Sequence, residues 1–172
     1  MNTEKPTSLL SSLRHPTGML GFTIVWFGQV ISLMGTTMSG FAMGIWAWQA
    51  TQSATAMAII GICNFLPGIL FSPIAGALVD RWNRKFVMML SDLASGLVTV
   101  GILLLHHAGN LEIWHLYVGG VISGTFQAFQ WPAYSAAISI MVPKKQYTRA
   151  AGMMSLAEWG SGIFSPVLAG VF

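Results

Sequence analysis

The chain has 172 residues, of which 54% are apolar and only 8% charged, where soluble domains average roughly 25% charged. That excludes a water-covered globule and requires lipid around most of the surface. A net charge of +3 from eight scattered Lys and Arg makes no stripe for nucleic acid, and one cysteine, Cys63, excludes a disulfide framework or a Cys-based metal centre.

In chain order, residues 1–19 form a polar tail without the compact apolar core and small-residue cleavage site of a signal peptide. A bilayer-spanning helix needs about 20 mostly apolar residues. Five segments meet this, at about 20–46, 54–79, 86–105, 113–141 and 148–172. The fourth is longer than a bilayer requires and contains Pro132, which removes a ladder bond and is expected to kink it. The abundant glycines suit close approach of membrane helices.

Every Lys and Arg falls on one side of this layout. Lys5 and Arg14 precede the first span, Arg81, Arg84 and Lys85 separate the second and third, and Lys144, Lys145 and Arg149 separate the fourth and fifth. The other two loops, "QATQS" and "HHAGNLE", have none. The positive-inside rule then predicts a cytoplasmic N-terminus and an outward-facing Phe172. Trp46, Trp48, Trp114 and Tyr117 fall near the outer boundary, as interfacial aromatics do. An odd number of spans ending at "SPVLAGVF" is expected of a truncated sequence.

Charge is concentrated in "GALVDRWNRK". Here Gly76 is expected to let a second helix pack on the end of span two. Asp80 is suited to cap a helix start, and Arg84 and Lys85 to anchor the loop at headgroups or pair with acids. Taken alone, the stretch also fits a plain positive-inside loop. Its residue order resembles the loop signature of the major facilitator superfamily, Gly-x-x-x-Asp-Arg-x-Gly-Arg-Arg/Lys, matched by Gly76, Asp80, Arg81, Arg84 and Lys85. Asn83 replaces the signature glycine, and Asn tolerates a left-handed turn. "FLPGILFSPIAGALVDR" and "FQWPAYSAAISIMVPKKQYTRAAGM" resemble the second and fourth helices of its drug-efflux branch, which includes macrolide-efflux-type proteins. "SGIFSPVLAG" resembles a weakened fifth-helix antiporter motif, with Pro166 and Gly170 matching and Ser161, Ser165 and Ala169 in place of glycines. No Arg lies between Lys85 and Arg149, so the fourth-helix Arg of many proton-coupled members is not carried over.

The resemblance implies an all-α polytopic bundle, helices one to five of the first six-helix half of a transporter built from two such halves. It also implies alternating access, export of amphipathic drugs or metabolites, proton coupling, and location in the plasma membrane. Its partners would be lipid, a small-molecule substrate, the proton and the C-terminal half, with no cofactor. The alternatives are a stand-alone five-span scaffold or regulator, or a non-functional fragment. A membrane enzyme would need a nucleophile–base pair or a metal cluster at one depth, and the sequence offers neither.

Polar residues within the spans mark candidate sites. Gln29, Ser32, Thr36 and Ser39 form one helical stripe, and Ser123, Gln127, Gln130 and Tyr134 another. They serve either as interhelical packing or as the wall of a cavity, and the resemblance, in which helices one and four face the cavity, favours the second. Glu158 lies nine residues past Arg149, about 14 Å along a helix and near the bilayer midplane. A charge there costs about 3 kcal/mol, so Glu158 is either a proton-coupling group or a protonated packing residue, on one face with Ser155 and Ser165. Asp92, seven residues past Lys85, is expected to latch onto Arg81, Arg84 or Lys85. The aromatics Trp26, Phe27, Phe126, Phe129, Trp131 and Trp159 suit a drug pocket or simple packing. His106, His107 and His115 near the outer face have only Glu112 close by and make a poor metal set.

Overall fold

A computed structural model describes residues 18–170. The polar tail with Lys5 and Arg14, and Phe172, lie outside the described residues. Five α-helices follow in order: α1 (Met19–Thr51), α2 (Ala54–Val79), α3 (Arg84–His107), α4 (Ile113–Met141) and α5 (Tyr147–Ala169), with one 3-10 turn at Lys144–Gln146 before α5. Among the described residues there is no strand, and the all-α helical class is as expected. By length and composition α1, α2 and α3 can each cross a membrane. α4 and α5 are more polar, carrying Gln127, Gln130 and Glu158.

The helix ends follow from local chemistry. α1 continues to Thr51, beyond the expected end near 46, because nothing in "AWQAT" interrupts the ladder. Gln52 stops it in a left-handed conformation at φ 51°, its amide bonded to the Trp48 carbonyl at 2.8 Å. The Ser53 hydroxyl then accepts the Ala56 amide at 3.4 Å and starts α2. At the other turn, Asn83 is the N-cap of α3: its Oδ1 accepts the amides of Lys85 at 3.1 Å and Phe86 at 3.4 Å. This corrects two expectations. Asp80 caps no helix start, since it closes the C-terminal end of α2, and Asn83 is not left-handed, with φ −69°. α4 begins with a capping box of Glu112 and His115 and runs unbroken through Pro132.

The helices pack as two groups. α2 and α3 both lie against α4, while α1 lies chiefly against α5. The seam between α2 and α4 is closed by glycine. A Cβ on Gly124 would overlap the Asn64 carbonyl oxygen, and one on Gly120 would come within 2.9 Å of the Asn64 amide nitrogen. Close approach of this kind, at Gly124 backbone to backbone, is how membrane helices gain attraction where lipid supplies no hydrophobic drive. Gly76 makes no such contact among the described residues: a Cβ there would meet nothing within 4 Å. α1 is tied to α5 by the Trp26 indole donating to the Met153 carbonyl at 2.7 Å and the Ser165 hydroxyl donating to the Met34 carbonyl at 3.3 Å.

A buried apolar cluster around Phe22, Val79, Val87, Ile138 and Ala150 closes one end of the bundle, and Ala47, Ile60 and Leu116 close the other. Most other large apolar side chains point outward, Phe65 and Ile140 being more than 70% exposed. An apolar exterior around helices with internally satisfied backbones is the arrangement a bilayer requires.

Candidate functional site

Between the two groups, α1, α4 and α5 enclose a cavity of about 250 Å³. α1 presents Gln29, Ser32 and Thr36 to it, at i, i+3 and i+7, and α4 presents Gln127, Gln130 and Tyr134. These are six of the seven expected cavity residues. The seventh, Ser123, faces a separate cavity of about 40 Å³ with Asn64 and Ser95. Its neighbour Gly124 lies on the α2 seam, which turns that part of α4 away from α5. Thr36 borders both spaces. Trp131 and Met154 add apolar wall. Tyr134 is only 6% exposed, and its hydroxyl has no hydrogen-bond partner among the described residues.

Behind this wall sits Asp92. Its Oδ1 accepts the Ser32 hydroxyl at 2.7 Å and the Gln130 side-chain amide at 2.7 Å. Its Oδ2 accepts the Gln29 amide at 3.2 Å, and Gln130 also donates to Gln29 Oε1 at 3.2 Å. Asp92 thus joins α3 to α1 and α4, and the expected latch onto the basic loop is corrected. Two helical turns separate it from Lys85, and it follows Ser91 on the inward side of α3, where Ser91 donates to the Phe126 carbonyl at 3.0 Å. The basic loop has its own partners. Arg84 lies 4.0 Å from Asp80 and donates to the Ala136 carbonyl at 3.2 Å. The sequence held one signal for this hub: two amide-bearing stripes that need an acceptor, and a single carboxylate on the intervening helix.

Glu158 borders the cavity but is exposed, as is Ser155, whereas Ser165 is fully buried. The expectation that the three share one face is therefore corrected. α5 buries Ala150, Ala157, Ser161 and Ser165, a line that drifts around the helix as it crosses α1. Ser161 and Ser165, at the motif's glycine positions, lie on that line, while Pro166 and Gly170 end the helix, the Gly170 amide donating to the Pro166 carbonyl at 2.9 Å.

The remaining candidates scatter. Trp131 alone of the proposed drug-pocket aromatics lines this cavity. Phe126 and Phe129 line an apolar groove of about 640 Å³ between α3 and α4, to which Arg81 also contributes, and Trp82 stacks on Phe129 at 6.3 Å. Trp26 is engaged with α5, and Phe27 and Trp159 are exposed. Lys85 is exposed beside Asn83. At the opposite end, Trp114 donates to Glu112 at 2.8 Å and stacks on His115, while His106 packs on Trp46. The cavity's mixture of amides, hydroxyls and apolar wall suits reversible binding of a small molecule.

Residues 25–172 match the family model described as Major Facilitator Superfamily. The chain is 30% identical over 150 residues to macrolide efflux protein A of Streptococcus pyogenes, covering 87% of this chain and 37% of that protein. It is 31% identical over 110 residues to macrolide efflux protein A of Enterococcus faecalis, covering 64% of this chain and 34% of that protein. It is 25% identical over 176 residues to the enterobactin exporter EntS of Citrobacter koseri, covering 99% of this chain and 40% of that protein. The chain therefore spans well under half the length of the curated relatives it matches. No solved structure matches it. On the span of the family match and the helical bundle it folds into, the chain belongs to the Major Facilitator Superfamily.

Proposed function

We propose that this chain is the substrate-binding part of a secondary active exporter working by alternating access. The observation that carries this is the cavity of about 250 Å³ lined by Gln29, Ser32, Thr36, Gln127, Gln130 and Tyr134 inside an otherwise apolar bundle. Polar groups in a membrane interior are expensive and mark substrate or ion pathways. The volume lies just under the roughly 300–1,000 Å³ of ligand pockets, as suits a site completed by a further part of the transporter. Relatives named for macrolide and enterobactin export make large amphipathic molecules rich in oxygen the favoured cargo.

The energy source in this reading is the proton gradient, with Glu158 as the exchanging group, because it reaches the cavity rim from α5. Gly76 at the end of α2, Asp80 and Arg81 in the turn, and Arg84 and Lys85 at the start of α3 face the cytoplasm in this reading, and the Asp80–Arg84 contact steadies one conformation. α4 and α5 cross the bilayer with the other three helices.

Cells expressing the protein from its own gene are expected to accumulate several-fold less radiolabelled erythromycin than cells without it, and a protonophore is expected to erase the difference. Equal accumulation in both strains would remove macrolides from the reading; a difference that survives the protonophore would remove the proton. Orientation is tested separately. A cysteine at Asn110 should react with an impermeant maleimide from outside and one at Asn83 should not, and equal labelling would overturn the cytoplasmic placement of the loop.

A further inference from the structure

The polar wall of the cavity has spent most of its hydrogen-bond donors elsewhere. The Ser32 hydroxyl donates to Asp92 Oδ1 at 2.7 Å. Gln130 Nε2 donates to Asp92 Oδ1 at 2.7 Å and to Gln29 Oε1 at 3.2 Å. Gln29 Nε2 gives one N–H to Asp92 Oδ2 at 3.2 Å. Thr36, one turn along α1, donates back to the Ser32 carbonyl at 3.0 Å. A hydroxyl carries one donor and a primary amide two. Ser32, Thr36 and Gln130 therefore have none left, and Gln29 has one.

What these groups still offer a ligand is lone pairs, on Ser32 Oγ, Thr36 Oγ1 and Gln130 Oε1. A glutamine on an apolar wall can turn either end of its amide outward. These two cannot, because a carboxylate accepts and only the N–H end can face it. Asp92 does not line the cavity, so it acts on a ligand only through the side chains in front of it. Gln127 is exposed, and the Tyr134 hydroxyl has no partner among the described residues. Both can donate or accept, and both follow the ligand. The groups that have no choice are acceptors.

We propose that Asp92 is a positioning residue that holds the cavity wall in an acceptor-presenting arrangement, so that the cavity selects ligands carrying hydroxyl or N–H donors on an apolar body. The apolar body packs on Trp131 and Met154. Selection works by rejection as much as by attraction. A ligand oxygen without a hydrogen, such as an ether, meets lone pairs on Ser32, Thr36 and Gln130 and leaves them desolvated and unpaired, which costs more than a bond gains.

This assignment rests on the reading of the cavity as a ligand site, and two measurements keep their failures apart. The first uses no ligand: hydrogen–deuterium exchange of glutamine side-chain N–H groups, followed by nitrogen-15 solid-state spectra of the protein in lipid. Gln130 should exchange slowly and Gln127 rapidly, and Asp92→Ala should make Gln130 rapid. Gln130 exchanging as rapidly as Gln127 in the unmodified protein overturns the assignment. The second compares the affinity of erythromycin with that of its derivative in which the hydroxyls are methylated. The parent should bind at least about tenfold more tightly, the worth of one ordinary hydrogen bond. Asp92→Asn should lose most of that preference, and Asp92→Glu, which restores an acceptor-only group, should keep it. Gln130→Leu, which leaves Asp92 its other two donors, should lose the preference as well. A variant that is merely less stable weakens both compounds together, and a steric effect of the added methyl groups persists in every variant. Equal affinity for the two compounds, or a preference unchanged in Asp92→Asn and Gln130→Leu, overturns the proposal. Binding of neither compound by a protein that shows the exchange contrast removes the macrolide reading and upholds the role of Asp92.

Discussion

The two sides of α4 differ more than their closeness in sequence implies. Toward α2 the helix presents Gly120 and Gly124, so close to Asn64 that no side chain fits between. One turn further on it presents Gln127, Gln130 and Tyr134 to an open cavity. The first side is filled by the Asn64 backbone at Gly124 and by the Asn64 and Cys63 side chains at Gly120. The second keeps polar groups, including a buried Tyr134 hydroxyl without a partner among the described residues, where a bilayer would favour apolar ones. A seam and a binding surface can thus share one helix. The seam gives α2, α3 and α4 a fixed frame, and the cavity marks the boundary with α1 and α5.

The largest expected effect comes from breaking the seam. Gly124→Leu forces a side chain into the Asn64 backbone. Overpacking of this kind costs about 1–3 kcal/mol or more, and here the obstacle is backbone that cannot rotate away. Little folded protein should be recovered from membranes, whereas Gly35→Ala, with open space around the added methyl, should leave the yield unchanged. A normal yield of Gly124→Leu would mean that the seam is not the rigid side.

A smaller effect on folding and a larger one on work is expected at the cavity. Glu158→Gln keeps the size of an exposed side chain while replacing its carboxyl with an amide. Yield and thermal midpoint in detergent should stay as they were. Export of erythromycin against a gradient should fall by about tenfold or more, on the view that intramembrane acids are functional. Uphill export with unchanged pH dependence would assign coupling elsewhere, with Asp92 the next carboxyl to examine.

The smallest effect tests a position outside both sides. Asn83→Ala removes the two N-cap bonds of α3 and should lower stability by about 1 kcal/mol, seen as a modest drop in thermal midpoint. Asn83→Gly should recover most of that loss, since Gly is a tolerable N-cap. A failure of Gly to do better than Ala would show that the cap is not what Asn83 supplies.

Some of this was determined by the sequence alone. Charge scarcity and five apolar runs dictate an all-α membrane bundle, because only helices and closed barrels satisfy their backbones in lipid. Helical periodicity alone placed Gln29, Ser32 and Thr36 on one stripe, and Gln127, Gln130 and Tyr134 on another, since 3.6 residues per turn is a local property. What tertiary structure decided is which stripe meets which helix. Ser123 belongs to the same stripe as Gln127 but faces a different space, because the glycine seam turns α4 against α2 there. Asp92 lies two turns from a basic loop in sequence, yet its partners Gln29 and Gln130 are 63 and 38 residues away. Ser165 shares a nominal face with Glu158 but is buried on α1, because crossing helices touch along a line that rotates around each of them. Spacing along one helix cannot contain a crossing angle or the identity of a neighbour, and those two quantities decided where the carboxylates of this protein point.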